Sequence, residues 1–203
     1  MDEHEYKVGD LYERNHFRRR KINGEWRYWR DGKNRAEEML PNLKRKTTET
    51  NQNEDMAACN PKYLKGGVYK NNCISCALAY DMRRRGYDVE SAPIDTTSAT
   101  NGSLPVQLGF YKGEKLEVFE VPKDLYAATK QFSNQILKYG DGSRGMLRIR
   151  WKNGDGHAAV WGVDGNSVII RDPQNNTIID LSDYMSRAKI FYYFRTDNLE
   201  PTE

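Results

Sequence analysis

The sequence predicts an α+β fold in which helices come first and an antiparallel sheet follows. Two stretches with apolar residues at helical spacing, 73–85 and 122–139, lie in the first two thirds of the chain. After residue 144 the pattern changes to short β-rich runs separated by turn signals. This order is typical of helices packed on an antiparallel sheet, and a chain of 203 residues can bury a core around such a sheet.

Each predicted helix has a clear end. The first contains no Gly or Pro from Cys73 to Arg85 and stops at Gly86. The second begins at Pro122, and Gly140 supplies its C-terminal stop. We therefore expect two ordinary amphipathic helices, each with one buried face.

The predicted strands share a high content of β-branched and aromatic residues, and they lie at 145–151, 157–163, 167–171 and 190–195. Asn153-Gly154 and the segment 164–166 give turns between the first three. The second strand carries Trp161, which we expect either in the core or as a wall of a cleft.

The N-terminal quarter is predicted to be an accessory segment. Asn23-Gly24 between two runs with apolar residues indicates a β-hairpin, and 34–46 a short helix. The polar stretch 47–59 has the composition of a linker. These features divide the chain into an accessory segment at 1–46, the linker, and a catalytic domain at 60–203.

Charge and composition restrict the function. The chain has 32 basic and 29 acidic residues, a balance that does not favour nucleic-acid binding by the whole protein. Basic residues cluster in the first quarter, so nucleic acid is expected as a partner only through that segment, and a solvated charged face is the simpler interpretation. No apolar run approaches the roughly 18 residues of a membrane span, and the N-terminus lacks the pattern of a signal peptide. A cytoplasmic protein with no membrane partner is expected.

Three residues predict nucleophilic catalysis. Cys73 begins a helix, where backbone N–H groups and the helix dipole favour a thiolate. His157 opens a strand, and Asp172 closes the next strand, from which it can reach the imidazole. A histidine is more often structural and an Asp before Pro173 more often a turn residue, but together they supply a nucleophile, a base and an orienting carboxylate.

Two details of this site stay open. Cys76 is an alternative nucleophile one helical turn further on, although Cys73 lies nearer the dipole end. Asn72 is expected to donate to an oxyanion or to support the site. A zinc or redox Cys-x-x-Cys motif lacks a second ligand pair, because Cys59 and His157 are too distant in sequence, so no metal and no cofactor are expected.

Several segments together resemble a known family. The segments Asn60-Pro-Lys-Tyr63, 72–89, Gly156-His157 and Asp172-Pro-Gln174 are similar to the papain-fold toxin domains that are predicted to be glutamine deamidases. Such domains occur in bacterial polymorphic toxins and phage head-associated proteins. The resemblance spans about 60–193 and implies a papain-like fold, with the helix that carries the cysteine packed on the sheet that carries the histidine and aspartate.

The resemblance also implies an activity. The nucleophile, base and orienting roles fall on Cys73, His157 and Asp172, with Gln174 as a supporting residue. A protein glutamine is the implied substrate, and the implied role is a toxin or phage-delivered effector with a capsid or immunity protein as a further partner. The implied locations are a bacterial cytoplasm, a phage particle or a target cell. The same triad suits a cysteine protease or a transamidase. The alternative to an enzyme is an inactive papain-like module that binds a partner or belongs to a virion.

Overall fold

A six-stranded antiparallel sheet forms the centre of the molecule. The computed structural model describes residues 21–22, 25–26, 44–93, 111 and 116–200. The sheet contains β5 (Glu117–Glu120), β6 (Arg144–Trp151), β7 (Gly156–Asp164), β8 (Ser167–Asp172), β9 (Thr177–Ile179) and β10 (Ala188–Arg195). Their spatial order is β5-β10-β6-β7-β8-β9. The predicted strands are all present, each extended by no more than two residues, whereas β5 and β9 were not predicted.

Helices cover both faces of the sheet. The described helices are α1 (Gln52–Cys59), α2 (Cys73–Arg84), α3 (Leu125–Leu137) and α4 (Leu181–Arg187). Met146 lies opposite Val160 on the face that packs against α1 and α2. The next pair, Leu147 and Ala159, lies on the face that packs against α3 and α4. The predicted α+β fold class, with the cysteine-bearing helix on an antiparallel sheet, is therefore confirmed.

Trp161 belongs to the core. Its side chain is 1% exposed, stacks on Tyr139 at 5.3 Å between ring centroids, and donates from Nε1 to the carbonyl of Met146 at 3.2 Å. Gly145 provides the space, because a Cβ there would collide with the indole ring and with a backbone carbonyl. Of the two roles expected for Trp161, the structure supports the buried one.

The segment predicted as a linker, 47–59, instead contains α1. Asn51 caps this helix in a reciprocal capping box with Glu54. Asp55 is fully buried, and its carboxylate forms ion pairs with Lys46, Arg83 and Arg84. The linker prediction was wrong because the buried Asp55 finds its cationic partners outside the segment, while Met56 and Cys59 pack in the core.

The accessory segment is described only in part. A two-residue hairpin pairs β1 (Lys21–Ile22) with β2 (Glu25–Trp26) around the predicted turn. The predicted helix does not extend to its expected end, because Lys44–Arg45 forms β3 and pairs with β4 (Tyr87–Asp88). Residues 34–43 lie outside the described residues. In the part of the chain that the structure describes, no helix has the length and apolar character needed to cross a bilayer.

Candidate active site

Three predicted side chains meet at one end of the sheet. His157 is the second residue of β7, Asp172 is the last of β8, and Cys73 is the first of α2. Nε2 of His157 lies 2.7 Å from Oδ2 of Asp172. The thiol of Cys73 lies close enough to the same ring to help raise the pKa of His157. Because Nε2 is engaged by the carboxylate, Nδ1 is the ring nitrogen left for the sulfur.

The ring of His157 is held in its charged form. Burial lowers its pKa, but the hydrogen bonds with Asp172 and Cys73 and the attraction of these groups outweigh that effect and raise the pKa to about 10. The imidazole is therefore protonated at neutral pH.

Asp172 is fixed by three donors. Its side chain is 3% exposed, and its Oδ2 accepts a hydrogen bond from the hydroxyl of Tyr184 at 3.2 Å as well as from His157. Its Oδ1 accepts from the backbone N–H of Gln174 at 3.0 Å. A carboxylate with both oxygens engaged cannot rotate freely, so it holds the imidazole in one orientation.

Aromatic side chains that the sequence did not single out enclose His157. Trp151 stacks on its ring with 6.4 Å between centroids and 14° between planes, and Tyr184 meets it edge-on at 6.1 Å. Arg187 covers Trp151 at 4.9 Å and Tyr184 at 5.6 Å. Tyr184 and Arg187 belong to α4, a helix that was not predicted. These contacts shield one side of the imidazole from water.

Asn72 supports the site and does not offer its side-chain amide to an oxyanion. Its Nδ2 donates to the hydroxyl of Ser91 at 3.1 Å and to the carbonyl of Ala92 at 3.0 Å. Its side chain makes no capping hydrogen bond to α2. Of the two roles predicted for Asn72, the supporting role fits.

A buried amide network joins the loop before α2 to the end of β8. Nδ2 of Asn60 donates to the carbonyl of Gln174 at 2.9 Å and to the carbonyl of Tyr69 at 2.9 Å. Nε2 of Gln174 donates to Oδ1 of Asn72 at 3.4 Å. The residues next to Cys73 and Asp172 are thus tied together, which fixes the nucleophile relative to the carboxylate.

The other two cysteines are unsuited to nucleophilic attack. Cys76 is fully buried, its Sγ lies 3.3 Å from the hydroxyl of Ser91, and burial raises its pKa well above the ordinary value. Burial likewise raises the pKa of Cys59. Cys73 is partly exposed, and all three thiols are free. Within the described residues no group of three or more His, Cys, Asp or Glu side chains is placed to hold a metal ion.

A surface cleft opens beside His157. Its volume is about 850 Å³, a size that suits a peptide segment or loop. It is lined by Asn71, Trp151, Lys152, Asn153, Asp155, Gly156, Ser186 and Arg187. A substrate in this cleft would approach the imidazole past Trp151.

Comparisons with known proteins identify the family. No curated protein matches the chain. Among solved structures, the Pseudomonas avirulence protein AvrPphB is similar at 18% identity over 66% of this chain and 70% of that one. The TM-score of this match is 0.33. The family model described as papain fold toxin 1, glutamine deamidase, matches residues 71–177, more than half of the chain. The chain therefore belongs to this papain-fold family of glutamine deamidases and is a cysteine-dependent enzyme.

Proposed function

We propose that the chain deamidates glutamine side chains of a protein substrate, with Cys73 as nucleophile, His157 as general acid and base, and Asp172 as the orienting carboxylate. The observation that carries the proposal is the shared imidazole. Nε2 of His157 lies 2.7 Å from Oδ2 of Asp172, and Cys73 interacts with the same ring closely enough to help raise its pKa. The family description supports glutamine as the group that is attacked.

In the first half of the reaction, the thiolate of Cys73 forms a bond to the side-chain carbonyl carbon of the glutamine. The negative charge moves to the carbonyl oxygen, where the backbone N–H of Cys73 can donate to it. His157 gives its proton to the amide nitrogen, the carbon–nitrogen bond breaks, and ammonia leaves. A thioester between Cys73 and the substrate remains.

In the second half, water replaces ammonia. His157, now neutral, removes a proton from the water as the oxygen attacks the thioester carbon. The carbon–sulfur bond breaks, the substrate leaves with a carboxyl group, and the thiolate and imidazolium are restored. The net change is one water consumed, one ammonia released and one glutamine converted to glutamate.

The cleft beside His157 is consistent with a protein substrate. It is open to the surface and large enough for a loop. Two of its lining residues adjoin His157: Gly156 precedes it in β7, and Trp151 stacks on its ring. Lys152 and Arg187 border it, with Asp155 as the acidic residue among its lining. We infer that a substrate loop with acidic residues near the glutamine would be favoured.

The proposal is tested by incubating the protein with extracts of candidate target cells in water enriched in heavy oxygen. Mass spectrometry should then find glutamines converted to glutamates that carry one heavy oxygen, and ammonia should accumulate. A Cys73→Ala protein should produce neither, whereas the matched control Cys76→Ala should retain both. If new chain ends form only when Cys73 is present, and no glutamine is converted, the enzyme is a protease and not a deamidase.

A further inference from the structure

A buried arginine without a partner lies on the face of the sheet opposite to Asp172. Arg171 is 8% exposed, and its register partner Val160 belongs to the core beneath α1 and α2. Its Nε is fully buried and has no hydrogen-bond partner among the residues that the structure describes. A guanidinium keeps its charge at every accessible pH, so its burial without an acceptor is costly.

This arginine lines a small pocket that is partly open to the surface. The pocket has a volume of about 50 Å³ and lies between α1, α2 and the sheet. Its polar lining consists of Gln52, Tyr80, Arg84, Ser143, Arg144, Asp164 and Arg171. Three arginines thus border a space of about the size of a single oxyanion.

The charges around the cavity leave an excess of positive charge. Arg84 pairs with Asp55 at 2.8 Å, and Arg144 pairs with Asp81 at 3.1 Å. Asp55 is also shared by Lys46 and Arg83, and Asp81 by Arg85. Two buried carboxylates, with the exposed Asp88 that also pairs with Arg83, therefore serve five cations before Arg171 is counted. The acidic group in the lining, Asp164, is exposed.

We propose that this cavity binds a phosphate-type oxyanion, held by Arg171 with Arg84 and Arg144. The tetrahedral ion accepts hydrogen bonds from the guanidinium groups and neutralises the unpaired charge of Arg171. Binding joins β8 to α1 and α2, away from the active site. The ion acts as a structural ligand that stabilises the folded protein by mass action.

Inorganic phosphate is the probe for the test, which uses the full chain at constant ionic strength with chloride as the reference anion. At ten times its dissociation constant, phosphate should raise the Tm by about 3–6 °C. Arg171→Met should abolish the rise, and Arg171→Lys, which keeps the charge but loses the planar fork, should weaken phosphate binding roughly tenfold. Arg150→Met, at an exposed position on β6, is the matched control and should respond like the wild-type protein.

Chloride buffer supplies a second readout that does not depend on phosphate. There, Arg171→Met should melt no lower than the wild-type protein, because it removes an unpaired buried charge. A marked loss of Tm in that variant would reveal an internal partner for Arg171 and overturn the proposal. It is equally overturned if phosphate raises the Tm of wild-type and Arg171→Met proteins alike, if it raises neither, or if acetate acts and phosphate does not.

Discussion

Replacing His157 with glutamine should remove a defined part of the pH dependence of folding stability. The folded-state pKa of His157 is about 10, and the ordinary value is 6.5. Because the folded value is the higher one, the stabilisation is fully present below pH 6.5 and is lost as the pH rises through 10. The side chain is 15% exposed, so solvent screening does little to reduce the effect.

The size of the effect follows from proton linkage. Between the two pKa values His157 holds a proton in the folded protein that it has lost in the unfolded chain. In the proposed thiolate–imidazolium pair, the unfolded Cys73 holds a matching proton up to the ordinary cysteine pKa of about 8.5, so the free energy of unfolding hardly changes from pH 7 to pH 8 and falls above that pH, by at most about 1.4 kcal/mol per pH unit. Integration from pH 7 to pH 10 gives a loss of roughly 1.5 kcal/mol that is due to the pair. The glutamine variant fills similar space but cannot take up the proton.

Urea unfolding of both proteins at pH 7, 8, 9 and 10, with a thiol reductant and constant ionic strength, measures this loss. The difference in free energy of unfolding between wild-type and His157→Gln proteins should shrink by roughly 1.5 kcal/mol over that range, nearly all of it above pH 8. Asp172→Asn should lose much of the same slope, because it removes the main group that favours the imidazolium. Parallel pH curves for the wild-type and His157→Gln proteins would show that the folded state does not hold the extra proton, and the charged pair would have to be abandoned.

Three further substitutions test the supports of the site and the fold. Tyr184→Phe removes one of the donors to Asp172 while it keeps the ring. We expect a loss of about 1 kcal/mol in the free energy of unfolding and a reduced rate of glutamine conversion. If neither value changes, Tyr184 does not position Asp172. Gly145→Ala should destabilise the protein by at least about 3 kcal/mol, because its Cβ collides with the ring of Trp161, and thermal unfolding measures this directly. Asp55→Asn leaves three cations around a neutral amide. It should lower the free energy of unfolding, measured by urea titration, by about 3–5 kcal/mol. If 47–59 were an unstructured linker, the substitution would have no such effect.

The sequence was sufficient to predict elements whose local pattern agrees with their environment. The first helix has apolar residues on one face and a glycine after its end, and the predicted range 73–85 differs from α2 by one residue. The strands that carry His157 and Asp172 have β-rich composition and clear turns between them. Because these elements are consistent at the local level, both side chains could be placed at strand ends before their contact was known.

Residues whose role depends on distant partners were missed. α1 has almost no amphipathic pattern, and its carboxylate Asp55 is stable in the core only because cations arrive from elsewhere in the chain. Tyr184 lies 12 positions after Asp172, in a helix of seven residues, and nothing local indicates that its hydroxyl reaches the carboxylate. The aromatic enclosure of His157 likewise forms only when the end of β6 and α4 come together.

The role of Asn72 shows a different limit. An asparagine next to a nucleophile suggests an oxyanion donor, and the sequence could not show that Ser91 and Ala92 already accept both of its N–H bonds. The direction in which a side-chain amide points depends on tertiary contacts.

The pH profile of cysteine alkylation tests the central claim most directly. With iodoacetamide at pH 6, mass spectrometry of the digested protein should find Cys73 labelled rapidly while Cys59 and Cys76 remain unlabelled in the folded state. His157→Gln should slow the labelling of Cys73 at pH 6 at least tenfold and restore it at alkaline pH. Equal labelling of the three cysteines, or a rate at Cys73 that does not change when His157 is replaced, would contradict the thiolate–imidazolium pair on which the proposed chemistry depends.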